Sequence, residues 1–470
     1  MDAKGKVPCV ECQRLQARLD SLQATVTQLQ EQLAKAGKNS SNSSKPPSSD
    51  LVKPAKPAPP DGQAKRRPGG QPGHPLQQRA LAPAELLNGG SHTHALELCP
   101  ECGHGLQAAV GVAPRIVQQH EIEVVPLRIE EHRVLASWCP QCRKVHHGVL
   151  PMGIERGGMV GPRLATLIAY LKGACHASYS TIRKYLRDVL QVTISRGQLA
   201  KIIGKVSQAL DQPYEELLAK LPAQSRLNVD ETGHADRGER WWTWCFRASL
   251  YTLFKIDPTR SGDVLLEVLG QEFNGVLGCD YFSAYRRYMR QCDTVVQFCL
   301  AHLIRDVKYL TTLPDRRDRA YGERLREALR ALFAVIHRQE ELSPRTFQAQ
   351  LVAARDAVLR QALDAVPLTR HSQNLAHRFR EHGQAYFEFV TTPGVEPTNN
   401  LAEQAIRFVV IDRHITQGTR GETGRRWCER IWTVIATCSQ QGRSVFDYLH
   451  GVVAAYYEDT TAPSLLPKEC

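Results

Sequence analysis

Residues Arg226–Ile256 read RLNVDETGHADRGERWWTWCFRASLYTLFKI, and two later stretches complete the pattern, GVLGCD at Gly275–Asp280 and VVQFC at Val295–Cys299. Arg226–Asp230, Trp241–Ala248 and Tyr251–Ile256 are rich in aromatic and β-branched residues, with the turn ADRGER after the first, which predicts a three-stranded antiparallel meander. A helix is expected near Ser261–Leu269. A fourth apolar strand then runs into Asp280, as the first runs into Asp230, and a fifth ends at Cys299.

Three antiparallel strands, a helix, then strand, helix, strand is the order of a ribonuclease-H-like α/β fold. In that order the ends of the first and fourth strands lie side by side, which brings Asp230 and Asp280 together across 50 residues of sequence. Adjacent carboxylates of this kind can bridge two Mg²⁺ ions in phosphodiester chemistry, and a third acid completes such a site. Glu403 in PTNNLAEQAIRFVVI is the candidate: Pro397 and Thr398 open a helix whose apolar face is Leu401, Ile406 and Val409. Each acid also has a plainer role open to it. Glu231 competes with Asp230, although strand alternation sends the two to opposite faces; Asp280 could cap a helix starting at Ser283, and Glu403 could be a solvated helix residue.

Outward from this core, 122 residues separate Asp280 from Glu403. Asp315–Phe389 is helical in pattern, with Pro344 and Pro367 as breaks, and reads as an insertion. On the N-terminal side, helices are expected at Pro162–Gly173, Tyr179–Val189 and Ser195–Leu210, the last capped by Thr193 or Ser195. They resemble a helix-turn-helix in which Arg196, Gln198 and Lys201 would face a DNA groove, or equally a helical subdomain packed on the next unit.

Before these helices come two CxxC knuckles, Cys99/Cys102 and Cys139/Cys142, 36 residues apart. Strand-like stretches at Arg115–Val125 and Leu127–Ser137 lie between them. Four thiolates brought together by a hairpin suit a structural Zn²⁺, and two matched pairs argue against a thioredoxin-like redox role. His104, His146 and His147 lie close by but are not needed as ligands; Cys9 and Cys12 form a third, unassigned CxxC. At the start, Leu15, Leu19, Leu22, Val26, Leu29 and Leu33 recur in alternating steps of four and three, an a/d seam that predicts a coiled coil and a dimer; the alternative is an amphipathic helix packed on its own chain.

The chain has 470 residues, 42% hydrophobic, with 60 Lys+Arg against 48 Asp+Glu and a net charge of +12. A single small module is excluded, and a polyanionic partner is favoured. Residues 1–75 hold 12 basic and 6 acidic side chains, half of the excess, mostly in a Ser-, Pro- and Gly-rich stretch expected to be a disordered basic linker. Its Lys65, Arg66 and Arg67 suit phosphate contacts. No apolar run approaches the roughly 18 residues that span a bilayer, and the start lacks a signal peptide's apolar stretch, so a cytoplasmic, nucleoid-associated protein is expected.

These pieces together resemble the large transposase subunit of the insertion-sequence-sixty-six family. The matching residues are the leucine-zipper start, GKNSSNSSKPPSSD, RRPGGQPGHP, CPEC and CPQC, VDET, CDYFSAY, CLAH at Cys299–His302, and PTNNLAEQAIR. The resemblance implies a DDE transposase with Asp230, Asp280 and Glu403 as catalytic and metal-binding acids for two Mg²⁺ (or Mn²⁺) ions. It implies a CxxH element at Cys299 and His302. It also implies terminal-inverted-repeat DNA and target DNA as partners, a homodimer or higher oligomer, and small accessory proteins of the same element. Two departures stand out: Gln404 replaces the arginine usual after the glutamate, and Arg413-His414-Ile415 replaces an RKN element. Arg407 and Arg413 are then the candidates for DNA phosphate contacts.

The expected organisation is multidomain α/β: coiled coil 10–37, linker 38–78, zinc ribbon-like module 79–152, helix-turn-helix-like subdomain 155–220, ribonuclease-H-like catalytic core 221–312 and 391–445, helical insertion 313–390, and C-terminal tail 446–470. The rival reading is a zinc-containing DNA-binding regulator or an inactive transposase derivative. Clustered carboxylates near phosphates speak against it, since they would weaken binding.

Overall fold

The computed structural model describes residues 10–36, 127–141, 143–147 and 149–466, with the isolated positions 38, 81, 83, 101, 102 and 104. Lys65, Arg66, Arg67, Cys9, Cys99, Cys142, the side chains of Cys12 and Cys139, and the Arg115–Val125 stretch lie outside them. The chain divides into two units, residues 55–130 and the remainder. The account below concerns the second.

Helix α1 (Val10–Ala36) carries the leucine seam, whose six apolar side chains are 51–75% exposed. Strands β1 (Ala136–Cys139) and β2 (Lys144–His147) pair antiparallel around the second knuckle. The strand expected over Leu127–Ser137 is therefore corrected: residues 127–135 are not in a strand, and the pairing begins at Ala136. The reason is the partner, because β1 closes on the segment after the knuckle.

Helices α2 (Met152–Gly157), α3 (Pro162–Gly173), α4 (Tyr179–Leu190), α5 (Arg196–Ala209) and α6 (Asp211–Lys220) follow. Their starts are set locally: Pro162 occupies the first turn of α3, and the Ser178 and Ser195 hydroxyls accept from Thr181 N and Gln198 N. The central member, α5, buries Leu199, Ile202, Ile203 and Val206, leaving Arg196 and Lys201 exposed at its start.

The sheet comprises β3 (Arg226–Asp236), β4 (Glu239–Arg247), β5 (Thr252–Asp257), β6 (Val276–Cys279) and β7 (Val296–Phe298), in the order β5-β4-β3-β6-β7. The first three are antiparallel; β6 and β7 run parallel to β3. This mixed sheet is consistent with a ribonuclease-H-like domain. The β3–β4 turn is Arg237-Gly238, both at positive φ (53° and 86°), the two-residue geometry that follows strand twist. Asp230 lies in the middle of β3, not at its end as the sequence suggested. The parallel ladder to β6 stops at Asn228, while the antiparallel ladder to β4 continues to Asp236, so the strand outlasts one neighbour only. Trp244, Phe246, Leu253 and Phe254 are fully buried, each contributing about 1.5–3 kcal/mol.

Helices α7 (Asp263–Leu269), α8 (Ser283–Cys292) and α9 (Leu300–Leu310) interleave with the later strands. The insertion is α10 (Arg316–His337), α11 (Pro344–Leu363), α12 (Arg370–His382) and the short α13 (Glu388–Thr391); Pro344 opens α11. Helix α14 (Asn400–Thr416) then crosses the sheet, followed by α15 (Glu422–Gln440) and α16 (Val445–Glu458).

Helix α15 seals the β5 edge. Its Glu429, Thr433 and Thr437 side chains accept from the backbone N–H groups of Ile256, Phe254 and Thr252. Four helical residues rise about 6 Å, two strand residues about 6.7 Å, so side chains at every fourth position can track alternate N–H groups. At the opposite edge, Gln297 of β7 donates to Tyr386 O and accepts from Phe389 N.

The segment expected as a C-terminal tail is corrected: α16 buries Tyr448, Leu449, Val452, Val453 and Tyr457 against α2, α3 and α5. Every third or fourth residue is apolar, and the helical subdomain supplies the surface they cover. The same subdomain meets α14 and α15 where His176 Nδ1 lies 2.7 Å from Asp412 Oδ1 and Trp432 Nε1 donates to Asp412 Oδ2 at 3.2 Å. No described helix is long and apolar enough to cross a membrane.

Candidate active site

The parallel register sets Asn228 opposite Gly278, so Asp230 and Asp280 both lie two residues beyond the last paired position. The Asn228 side chain lies over Gly278: a Cβ there would fall 2.5 Å from Asn228 Nδ2, the atom that donates to Asn399. Alternation turns Asp230 with Asn228 and Thr232 toward α14 and sends Glu231 the other way. Glu231 is fully buried at its side chain, paired with Arg260 and accepting from Tyr285 Oη. Burial and then the Asp280 charge raise its carboxyl above the usual range, against the opposing pull of Arg260 and Tyr285.

Asp230 is differently provided for. Among the described residues its carboxylate accepts one hydrogen bond, from the N–H of Glu231 at 3.0 Å. Burial, followed by the charges of Glu231, Asp280 and Glu403, pushes it well above the ordinary aspartate value of 3.8. Asp280 Oδ1 accepts from Phe282 N at 2.8 Å, forming a local turn; α8 itself starts without a side-chain cap. Asp280 therefore does not serve as the helix cap.

Glu403 lies in the first turn of α14, beside Ala402, Ile406 and Val409, the buried face. Leu401 is corrected from the expected apolar face: it is 38% exposed, because the face follows steps of four and three from Ala402. Glu403 Oε1 lies 3.0 Å from His302 Nε2 and 3.5 Å from Arg305 Nη2. Burial opposes its ionisation, but the His302 hydrogen bond and the charges of His302, Arg305 and Arg407 outweigh that and hold the carboxyl below its usual value. Arg407 is exposed, whereas Arg413 is half-buried and donates to Thr232 Oγ1 at 3.1 Å.

Asn399 ties these elements together and was not singled out from the sequence. Only 2% exposed, it donates to Val229 O at 2.8 Å, accepts from Asn228 Nδ2 at 2.9 Å, and gives its backbone N–H to Cys299 Sγ at 3.1 Å. Paired asparagines just ahead of a helix were the available signal. Arg260, Tyr285 and Arg305 were also missed, since their partners lie 29, 54 and 98 residues away.

Asp230 feels the charges of Asp280 and Glu403, but the described residues hold one set of three metal-capable side chains with ligand atoms all within 4.8 Å: Cys299, His302 and Glu403. In the first knuckle Cys102 is exposed.

A mixed sheet with acids at the carboxyl side of its parallel strands and on the helix crossing it is consistent with an α/β domain of the ribonuclease-H-like kind. The family described as Transposase IS66 family matches residues 157–426. The chain belongs to that family, and a transposase role is supported. Residues 6–80 match a family of unknown function (DUF6444). No curated protein matches the chain.

Proposed function

We propose that this protein is a DDE transposase that cleaves DNA at its element's ends and joins the freed 3′ ends to target DNA, with Asp230, Asp280 and Glu403 as metal-binding acids. The observation that carries the reading is the register of β3 and β6, which sets Asp230 level with Asp280, together with an Asp230 carboxylate that no protein cation neutralises among the described residues. Hard oxygen donors repelling one another fit Mg²⁺ or Mn²⁺. When bound, two such ions supply Lewis acidity to activate a water or 3′ hydroxyl and to stabilise the leaving oxygen.

The chain's own contributions follow. Asp230 and Asp280 present oxygens from adjacent strands; Glu403 presents Oε2, while Oε1 is directed to His302 and Arg305. Asn399 fixes the start of α14 against β3, setting the height of Glu403 above the sheet. Arg407, exposed one turn beyond Glu403, is suited to a DNA phosphate; Arg413 lies further along and is engaged with Thr232. Arg196, Gln198 and Lys201 at the start of α5 are further contacts for terminal-repeat and target DNA, and the Lys65-Arg66-Arg67 stretch of the sequence supplies positive charge for phosphates. A structural Zn²⁺ on Cys99, Cys102, Cys139 and Cys142, dimerisation through the leucine seam of α1, accessory proteins of the element, and a cytoplasmic location complete the proposal.

The test is incubation of purified protein with terminal-repeat DNA and Mg²⁺, reading 3′-end cleavage and strand transfer on a sequencing gel. Both products are expected, and Asp280→Asn should remove them. Tight binding without cleavage would favour the regulator, and activity surviving in Asp280→Asn would refute the assignment.

A further inference from the structure

We propose that Cys299, His302 and Glu403 form a binding site for a zinc-class divalent ion, distinct from the oxygen site of Asp230 and Asp280. It rests on the preceding reading only in that Glu403 serves both. Cys299 follows β7 directly and caps the start of α9, and His302 comes three residues later on the same helical face. Glu403 comes from the first turn of α14, whose preceding residues are pinned to the same place. Asn399 N–H donates to Cys299 Sγ, and Leu300 N–H donates to Pro397 O at 3.0 Å. Two chain segments a hundred residues apart are thereby locked with one sulfur, one imidazole and one carboxylate converging.

The donor set names the ion class. Sulfur with imidazole nitrogen and carboxylate oxygen suits Zn²⁺ and its neighbours; Mg²⁺ requires oxygen donors. Zinc bonds of about 2.0–2.3 Å place tetrahedral ligand atoms roughly 3.5 Å apart. Here all three lie within 4.8 Å, and His302 Nε2 and Glu403 Oε1 are already at 3.0 Å. Side-chain adjustment of about an ångström closes the set, leaving the fourth position for water, as in zinc sites with three protein ligands.

Two details fit an ion better than a packing cluster. Among the described residues the His302 ring has one hydrogen-bond partner, Glu403 through Nε2, and its buried Nδ1 has none, so no other group competes with an ion for the ring. The Cys299 sulfur stands at a helix start and accepts the Asn399 N–H, which holds it in place facing His302 and Glu403. Glu403 Oε1 faces this set, and Oε2 has no protein donor among the described residues, so one carboxylate can serve two ions of different hardness.

The experiment uses cobalt(II) as a spectroscopic probe on the full chain with all native cysteines. The native protein should take up one more equivalent than either Cys299→Ser or His302→Gln. The native-minus-Cys299→Ser spectrum should show a thiolate-to-cobalt charge-transfer band in the near ultraviolet. Circular dichroism checks folding; should Cys299→Ser fail to fold, His302→Gln, which keeps the thiol, must still lose the ion. Equal stoichiometry and superimposable spectra for native protein and the folded variants would overturn the site. Asp230→Asn should retain the extra ion and its band, and loss of both there would show that the site is not separate. If DNA cleavage fails while the cobalt difference persists, the transposase mechanism falls and this site stands.

Discussion

Asp230 and Asp236 lie six residues apart on one face of β3, and their surroundings differ in kind. Asp236 sits where residues after α14 add a short parallel bridge to the strand through Thr419. It accepts from Thr419 Oγ1 at 2.8 Å and Gly421 N at 2.6 Å, and it pairs with Arg425. Burial alone would raise its carboxyl; the Gly421, Thr419 and Arg425 hydrogen bonds and the Arg425 charge reverse this and hold it below the ordinary value. Asp230 has one backbone N–H and three like-charged neighbours. A carboxylate whose oxygens are all claimed by the protein is structural. One left with repulsion and open lone pairs is equipped to meet a cation from outside.

Breaking the comparison at the open acid should give the largest effect. Asp230→Asn should lower strand transfer by roughly 10³-fold or more while raising the melting temperature in metal-free buffer, because it removes a repelled charge. Equal losses of activity and melting temperature would mean that Asp230 is structural after all. At the satisfied acid the signs reverse: Asp236→Ala should cost about 3 kcal/mol in denaturant unfolding, leaving Arg425 and Gly421 N–H unpaired. An unchanged midpoint would contradict the role given to that node.

Changing pH should separate the two without any loss of bonds. The Asp230 value is raised on folding, so its favourable contribution is complete below 3.8 and is lost as pH climbs through the folded value. The Asp236 value is lowered, so its contribution is present above 3.8 and is lost as pH falls through the folded value. In metal-free melts, the advantage of Asp230→Asn should therefore grow from pH 4 to pH 7. The deficit of Asp236→Asn should be greatest at neutral pH and shrink in acid. Parallel curves for the two variants would refute the contrast. The smallest effect is expected from Thr419→Val, which removes one of three donors to Asp236 and should cost about 1 kcal/mol, read as a shift in urea midpoint at constant slope.

What could be read from the sequence was whatever local chemistry specifies. The limits of α3 followed from Pro at its start, the cap of α5 was narrowed to Thr193 or Ser195 with the structure choosing Ser195, and the strand sequence followed from aromatic and β-branched runs. The side-by-side placement of Asp230 and Asp280 came from that strand order, and the β3–β6 register agrees with it. Features set by distant partners were hidden. Period-two patterning cannot tell that β3 keeps one neighbour after losing another, so Asp230 was placed at a strand end. The α16 segment passed for a tail because its burial depends on a helical surface about 250–300 residues earlier in the chain. Asn399 and the His302–Glu403 contact required knowing that the start of α14 lands beside β7.

The sealing of β5 by Glu429, Thr433 and Thr437, matched at β7 by Gln297, bears on crowding. An unoccupied strand margin is a template on which neighbouring copies can stack into cross-β aggregates. With the β5 margin taken by side chains of α15, and Gln297 of β7 tied to the backbone of Tyr386 and Phe389, the sheet offers neighbouring copies less of that route to fibre growth.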